Sequence, residues 1–528
     1  MKEYRKLADT ISLEDAIGQT LMPTDRGYSQ DELRRMIRES HLGSFFLRDY
    51  YTDSRERLTS LRNEQPIPLI FTADMEYDRG MNHGIFPTQM AAAATGDPEK
   101  VRRRAYLIGR EARAIGVDWL FHPVLDINGN PASPEMNVRT FGDDPKLVKE
   151  MALAHFAGLR EAGIASTGKH FPGAGLDDRD QHNCTSVNPL DVDTWMRTFG
   201  EVWKAAIASG METVMPGHIA FPAWCGCSEF EALPATIEPK LLIDLLRKEL
   251  GFDGLIVSDA ATMGGLTSRC RNEDCAVEFL RAGGDVFLFA DPVKDFRRIL
   301  DAVRSGYLSE ERVRDAAARM LALKDKLRIG ERPSFEPLSD SEYAAHDREF
   351  ESIAESSATI VRGPEAFPVN LKKGDKVLTV SIRYPGSAES RSPDLPLVDE
   401  LLRAEGFEVD HVVNPSHNDL RENADRYQAI FVNVMIFPHS LLGNLRMVGP
   451  MILAFWRAFY VGKKNCIFTS FGSPYLLHEQ PHWPNLLALY SPSPASQKAA
   501  VKVWLGKIKA SGKLPVDPGG KISRSIRF

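Results

Sequence analysis

Short apolar runs alternate with segments of helical periodicity along the first three fifths of the chain. Runs of this length indicate buried strands, and the segments between them carry apolar residues at helical spacing. Three of these segments, 98–114, 145–161 and 239–249, start at the proline of an Asp-Pro or Glu-Pro pair, where helices often begin. The apolar runs are 43–47, 68–73, 119–125, 164–169, 212–215, 255–258 and 285–289.

Strands that alternate with helices predict a parallel sheet. Seven or so such units over about 330 residues fit a TIM-type (β/α) barrel better than an open sheet. Polar residues cluster where the runs end, and in a barrel the carboxyl ends of the strands form the rim that carries the active site. Helix capping would explain one or two of them, but it explains the whole set poorly: Asp74, Glu76, Asp126, Lys169, His170, His218 and Asp259.

A second α/β region follows the predicted barrel. Segment 331–341 is polar and carries two prolines, which is typical of a linker, and a helical pattern then covers 344–357. Five or six further strands with intervening helices predict a smaller α/β/α sandwich, with apolar runs at 377–382, 407–413, 429–434, 465–469 and 485–490. We therefore predict a barrel domain over 1–335, a linker and connecting helix over 336–357, and a sandwich domain over 358–528.

Composition excludes several classes of partner. The 528 residues include 65 basic and 72 acidic ones, a net charge of −7 without the basic excess that nucleic acids or anionic membranes attract. No apolar run approaches the roughly 18 residues that span a bilayer. The start of the chain lacks the apolar core of a secretory signal, so we expect a cytoplasmic protein.

Cysteine usage gives no sign of a metal centre. The six cysteines are sparse, and Cys225 and Cys227 are too close for a common zinc knuckle and have no matching second pair. We interpret the cysteines as ordinary thiols and predict neither a metal nor a cofactor.

Asp259 ends the buried run 255–258 and is the candidate nucleophile. A carboxylate at this point of a barrel is suited to attack the anomeric carbon of a sugar. Taken alone it would more often be the N-cap of a following helix. The other polar residues of the rim favour the catalytic interpretation.

His182 lies on a polar segment, 175–183, which starts with glycine and predicts a mobile loop. Asp180, two residues earlier, is placed to bond one imidazole nitrogen, fix the tautomer and raise the basicity of the ring. His182 would then serve as general acid and later as general base. An isolated loop histidine is usually only solvated, but the nearby Lys169–His170 turn favours the catalytic role.

Four further polar residues suit a sugar pocket. Lys169 and His170 offer donors for adjacent hydroxyls, Asp74 accepts from two hydroxyls, and Arg139 donates as a fork. For any one of them a structural ion pair is as good an explanation. As a set around a barrel mouth they indicate a pyranose pocket.

These segments resemble the β-N-acetylglucosaminidase branch of glycoside hydrolase family 3. The loop sequence Lys-His-Phe-Pro-Gly-Ala-Gly from Lys169, followed by Asp180-x-His182, is similar to the signature of that branch, and Ser258-Asp259 is similar to its nucleophile motif. The resemblance extends over nearly the whole chain, including the family's C-terminal sandwich domain. Two positions depart from the family pattern: Ala174 stands where a second histidine is common, and Tyr77-Asp78 replaces a Gly-Gly pair.

The resemblance implies a retaining exo-glycosidase that removes β-linked N-acetylglucosamine by double displacement. It implies that Asp259 is the nucleophile, that His182 with Asp180 forms the acid/base pair, and that Asp74, Arg139, Lys169 and His170 bind the sugar. The substrate is then a small amino-sugar glycoside, and the assembly state is left open.

Two alternatives remain open from the sequence. One is a β-glucosidase-like hydrolase or a phosphorylase of the same family. A histidine acid is neutral after it has given up its proton, so phosphate could approach as the acceptor with less repulsion than a glutamate would cause. The other is a non-catalytic sugar-binding protein, which the presence of both Asp259 and His182 disfavours.

Overall fold

The chain folds into two compact units. The computed structural model describes residues 1–48, 55–80, 83–384, 395–416, 424–438, 445–456 and 465–518. The first unit comprises Met1–His83, Ala105–Ile127 and Val148–Ser339. The second unit comprises Gly84–Arg104, Asn128–Leu147 and Asp340–Phe528. The predicted boundary at 335 lies near the last change of unit, whereas the two internal segments of the second unit lie within the predicted barrel range.

The first unit is a closed barrel of parallel strands. Its strands are β1 (Leu21–Met22), β2 (Ser44–Phe46), β3 (Ile70–Ala73), β4 (Trp119–Leu120), β5 (Thr167–Phe171), β7 (Thr213–Pro216), β9 (Leu255–Ile256) and β10 (Phe287–Leu288). Parallel ladders join β10 to β1, β2 to β3, β3 to β4, β5 to β7 and β7 to β9. Isolated parallel bridges close the remaining gaps between β1 and β2, β4 and β5, and β9 and β10.

The barrel prediction is confirmed, with one strand added. Each of the seven predicted runs overlaps a barrel strand. The eighth strand, β1, has two residues and is followed at once by Pro23, so its apolar run is too short to be distinguished in the sequence. Two further short strands, β6 (Ser186–Val187) and β8 (Ile219–Ala220), pair in parallel with each other.

Helices connect the barrel strands, and local capping explains where some begin. Ser29 and Glu32 form a capping box at the start of Gln30–Glu39. The α-helices of the chain before residue 340 are Lys2–Thr10, Leu13–Gly18, Gln30–Glu39, Arg55–Arg62, Gln89–Ala94, Pro98–Ala114, Pro145–Glu161, Val192–Arg197, Phe199–Ala208, Pro222–Cys225, Gly264–Thr267, Cys275–Arg281, Lys294–Arg304 and Glu310–Lys326, with a π-helix at Lys240–Glu249 and 3-10 turns at Asn137–Arg139 and Ala235–Ile237.

Apolar side chains fill the barrel interior. Phe46, Trp119 and Phe121 stack or meet edge to face within it. Met320 and Leu323, on helix Glu310–Lys326, belong to the same buried cluster. That helix therefore contributes side chains to the barrel core.

The second unit contains a six-stranded sheet. Its strands are β11 (Thr359–Arg362), β12 (Lys376–Arg383), β13 (Glu408–Val413), β14 (Ala429–Met435), β15 (Cys466–Ser470) and β16 (Leu486–Ala488). They lie in the order β11-β16-β15-β14-β12-β13 and run parallel except for the antiparallel pair of β11 and β16. The five predicted runs correspond to β12–β16, and β11 is the sixth strand.

Both faces of this sheet are covered, as the predicted sandwich requires. Trp504 stacks on Phe431 and Trp483 stacks on Phe468, each with ring centroids 4.3 Å apart. Phe468 is in register with Val432, the neighbour of Phe431, so the two stacks lie on opposite faces. The helices in the described residues after 339 are Asp340–Ser357, Pro396–Ala404, Pro450–Leu453, Leu476–Glu479 and Pro494–Trp504, with 3-10 turns at Pro364–Ala366 and Ala424–Arg426. Within the described ranges of both units, no helix combines the length and apolar character needed to cross a bilayer.

Candidate active site

The carboxyl ends of three barrel strands carry the polar residues predicted to bind or attack the sugar. Asp74 directly follows β3, Lys169 and His170 lie within β5, and Asp259 lies three residues beyond β9. Because the strands are parallel in one closed barrel, these ends share one mouth. The structure therefore brings together residues that are up to 185 positions apart in the sequence.

Lys169 is buried between two carboxylates. Its ammonium lies 2.6 Å from an oxygen of Glu76 and donates to Asp74 at 3.2 Å. Nearly half of the Asp74 side chain is exposed, whereas that of Glu76 is largely buried. Glu76 therefore balances the lysine charge from within, and Asp74 keeps accessible surface with which to accept from a sugar hydroxyl.

Asp126 orients His170. One of its carboxylate oxygens accepts from the Nδ1 of His170 at 2.6 Å and from the backbone amide of that residue at 3.2 Å. The other oxygen accepts from the amide of Ala174 at 2.6 Å. The ring of His170 is thus fixed with Nδ1 toward Asp126 and Nε2 on the opposite side.

Asp259 is held in an environment that favours its ionised form. Burial by itself would raise the pKa of the carboxyl, but His170, His218, the Ala260 amide and Lys169 outweigh this effect, so the pKa lies below its ordinary value. The amide of Ala260 donates to Oδ1 at 2.7 Å. An ionised carboxylate at a barrel mouth is the species required for nucleophilic attack.

His218 supports the peptide next to Asp259. Its Nε2 donates to the carbonyl of Ala260 at 3.0 Å, and its Nδ1 is 2.8 Å from the hydroxyl of Thr236. The ring is fully buried, and burial lowers the pKa of His218. The sequence predicted that His218 lies at the rim. It did not predict that His218 supports the peptide after Asp259, because nothing in the sequence identifies Thr236 as its hydrogen-bond partner.

His182 and Asp180 form a bonded pair, as predicted from their spacing. The Nδ1 of His182 and its backbone amide donate to one oxygen of Asp180 at 2.7 and 2.8 Å. Asp180 is buried, whereas a quarter of the His182 side chain is exposed. A buried carboxylate thus orients an accessible imidazole, which is the arrangement of a general acid/base.

The loop of His182 is tied to the segment that follows Asp259. The amide of Gly264 donates to the carbonyl of His182 at 2.8 Å, and the amide of Gly265 donates to that of Gln181 at 2.9 Å. A Cβ at Gly264 would lie 2.4 Å from the carbonyl oxygen of Asn183, so this close approach requires glycine. The side chain of Gln181 also accepts from the amide of His218 at 2.9 Å. Gln181 and the two glycines were not predicted, because nothing in the sequence shows which distant loop they meet.

Arg139 is placed by the structure in the second unit. It ends the 3-10 turn Asn137–Arg139, and its guanidinium donates to the carbonyl of Glu135 at 3.1 Å. Its role in binding the sugar stays a prediction.

Comparison with known proteins identifies the family. Residues 12–323 match the family description "Glycosyl hydrolase family 3 N terminal domain". The chain belongs to glycoside hydrolase family 3. It is 31% identical, over 96% of its length and 93% of the relative's, to a protein of Cellulomonas fimi named beta-N-acetylglucosaminidase/beta-glucosidase.

Two solved structures resemble almost the whole chain. A β-N-acetylglucosaminidase from Paenibacillus sp. str. FPU-7 is 27% identical with a TM-score of 0.84, covering 96% of this chain and 99% of its own. A β-glucoside phosphorylase named BglX, bound to 2FGlc, is also 27% identical with a TM-score of 0.86, covering 99% of this chain and 98% of its own. The family and the two-part fold expected from the sequence are thereby confirmed.

Proposed function

We propose that this family 3 enzyme is a retaining exo-glycosidase that removes β-linked N-acetylglucosamine from non-reducing ends. The observation that carries the proposal is the joint placement of its two candidate catalytic groups. Asp259 is kept ionised at the barrel mouth, and the hydrogen-bonded pair of His182 and Asp180 is tied to the segment that follows it.

The first half of the reaction forms a glycosyl-enzyme ester. A carboxylate oxygen of Asp259 attacks C1 of the sugar while the bond from C1 to the leaving oxygen breaks. His182 transfers its Nε2 proton to that oxygen, and Asp180 stabilises the ring through its bond to Nδ1. The leaving group departs as a neutral alcohol.

The second half releases the sugar. Water attacks C1, its proton passes to the Nε2 of His182, and the ester bond to Asp259 breaks to restore the carboxylate. Two inversions at C1 give net retention. During both halves Asp74, Lys169 and His170 hold the glycone hydroxyls.

A panel of nitrophenyl β-glycosides tests the substrate. We expect kcat/KM to be higher for the N-acetylglucosaminide than for the glucoside. A glucoside preferred by about tenfold or more, equal to about 1.4 kcal/mol of transition-state binding, would overturn the substrate assignment but not the mechanism.

The nucleophile is tested by labelling and by substitution. A 5-fluoro glycosyl fluoride of the preferred sugar should attach covalently to Asp259, and Asp259→Ala should lower turnover by several orders of magnitude. Asp244→Ala is the matched control, because Asp244 is half-exposed and, among the described residues, pairs with Lys248 on its own helical segment. Labelling of another carboxylate would refute the assignment.

The acid/base role of His182 is tested by leaving-group dependence. His182→Ala should lose most activity on substrates with poor leaving groups, because those require protonation. Added azide should speed breakdown of the intermediate, since an anionic nucleophile needs no general base. Equal loss on all leaving groups, without rescue by azide, would show that His182 only shapes the site.

Phosphorolysis of a β-glycoside is the second candidate function. It is favoured by the likeness of this chain to a β-glucoside phosphorylase over almost the full length of both proteins. In that reaction inorganic phosphate replaces water in the second half and leaves as a sugar 1-phosphate. The same glycoside panel run with and without phosphate separates the two functions, because only a phosphorylase accumulates sugar 1-phosphate and turns over faster with phosphate.

A further inference from the structure

The turn 226–232 follows the carboxyl end of barrel strand β7 in the chain. It follows β8, which begins three residues after β7 ends, and helix Pro222–Cys225. The turn is held by Ser228, whose amide and hydroxyl both donate to Glu231, at 3.2 and 2.7 Å. Ala232, at its end, is fully buried in a small apolar cluster. The backbone of this turn is therefore fixed by its own hydrogen bonds and by a buried anchor.

The turn presents Phe230 to solvent. The side chain is 85% exposed, the highest value for a large apolar residue in the described part of the chain. Single exposed apolar residues are common and need no explanation by themselves. What distinguishes Phe230 is the place to which its turn is bound.

Two hydrogen-bonded tethers connect the turn to the loop of His182. Arg179, three residues before His182, donates to Glu229 at 2.6 Å. The backbone carbonyl of Phe230 accepts from Arg269 at 2.9 Å, and Arg269 also donates to Thr185, three residues after His182, at 3.4 Å.

Both tethers lead from the turn of Phe230 to the loop of His182. Both ends of the loop that presents the acid/base residue are joined to the turn, directly through Arg179 and indirectly through Arg269. A general acid lies beside the oxygen that it protonates, so the leaving group extends past His182.

We propose that Phe230 forms the platform of an aglycone subsite, on which the ring of a sugar or aromatic leaving group stacks. An aromatic ring buries the apolar face of a pyranose while leaving its hydroxyls in water, and rigid aromatic surfaces of this kind commonly line ligand sites. This inference rests on the proposed function. It adds the class of leaving group that the enzyme prefers.

The test compares a substrate whose leaving group has a ring with one whose leaving group has none. The pair is the β-1,4-linked N-acetylglucosamine disaccharide and methyl β-N-acetylglucosaminide, or cellobiose and methyl β-glucoside if glucose is the preferred sugar. Phe230→Ala should lower kcat/KM for the disaccharide about tenfold, the scale of one lost ring contact, and should change the methyl glycoside less than twofold. Phe230→Trp keeps an aromatic ring at this position and should therefore keep the disaccharide kcat/KM of the unaltered enzyme.

Tyr307→Ala is the matched control. Tyr307 is 56% exposed, but it lies between helices Lys294–Arg304 and Glu310–Lys326, away from the strand ends that carry the site. We expect this variant to leave both substrates unchanged.

Two results would overturn the inference. An equal loss on both substrates would mean that Phe230 acts by shaping the loop of His182, and no loss on either would mean that the side chain has no role in catalysis. Neither result would contradict the proposed function. That function is tested separately, by turnover of the methyl glycoside by the unaltered enzyme.

Discussion

Lys324 is a buried cation whose removal should stabilise the barrel at neutral pH. It lies on helix Glu310–Lys326 and is only 5% exposed. Its ammonium donates to Gln19 at 2.6 Å. Burial lowers the pKa of Lys324 from 10.5 to about 7, the Arg62 charge lowers it further, and Asp118 only partly opposes this.

The size and sign of the effect follow from proton binding. Between pH 7 and 10.5 the unfolded chain binds the lysine proton more tightly than the folded chain, so stability rises with pH across this window. At about 1.4 kcal/mol for each pKa unit, the lowered pKa of Lys324 reduces the free energy of unfolding by about 4 kcal/mol at pH 7 and by about 1 kcal/mol at pH 10, relative to a side chain that carries no charge. Lys324→Met keeps the length of the side chain and removes this cost.

The substitution also removes the hydrogen bond to Gln19 and leaves that amide without its partner. This loss costs about 1 to 3 kcal/mol at any pH. The variant should therefore be more stable than the unaltered protein by about 1 to 3 kcal/mol at pH 7 and no more stable at pH 10.

Thermal unfolding followed by tryptophan fluorescence between pH 6 and 10 measures the difference. At about 2 °C for each kcal/mol, the midpoint of the variant should be a few degrees higher at pH 7. Lys248→Met, at a lysine that is 70% exposed, is the control and should shift the midpoint little at either pH. A difference between variant and unaltered protein that is the same at pH 7 and pH 10 would refute the reasoning.

Three other substitutions test the site and its support. Asp126→Asn puts an N–H group against the donors that orient His170, so kcat/KM on nitrophenyl glycosides should fall about tenfold or more, and an unchanged value would contradict this role. Asp118→Asn removes the charge that Arg62, Arg113 and Arg332 share, so urea unfolding should show a loss of about 3 to 5 kcal/mol. Because the pKa of Asp118 is lowered, the same stability is lost as pH falls through its folded pKa. Lys169→Met removes a cation that lowers the pKa of Asp259, so the acid limb of the kcat/KM profile should move to higher pH, and an unmoved limb would count against this electrostatic contribution.

The barrel was predictable because its evidence is repeated along the sequence. Each strand is a short apolar run with a helical segment after it, and closure into a barrel places the carboxyl ends of all strands at one mouth. The polar residues Asp74, Lys169, His170 and Asp259 could therefore be grouped before any contact was known. β1 escaped prediction because two apolar residues between Thr20 and Pro23 give no periodic signal.

The contacts between loops were not predictable in the same way. Glu76 pairs with Lys169, and Gln181 bonds to His218, across distances in sequence that no periodic pattern spans. The pair of Asp180 and His182 was predictable because the two residues are only two positions apart in one loop. Likewise, segments 84–104 and 128–147 have the same local pattern as their neighbours, and only packing assigns them to the second unit.

The pairing of His182 with Asp180 also bears on the choice of acceptor. After the proposed proton transfer the pair carries one negative charge, as a glutamate acid would. That charge lies on Asp180, whose carboxylate is bonded to Nδ1 of the ring at 2.7 Å. The negative charge is then about 8 Å from an acceptor bound at Nε2, whereas the charge of a glutamate in the same role would be about 3 Å from it. At an effective dielectric constant of about 20, this difference removes about 3 kcal/mol of repulsion for each unit of charge on the acceptor. A neutral water molecule gains nothing from this arrangement, whereas a phosphate anion gains all of it. The use of histidine in place of a carboxylic acid is therefore an electrostatic advantage for an anionic acceptor alone, which makes the response to phosphate the most informative single measurement on this enzyme.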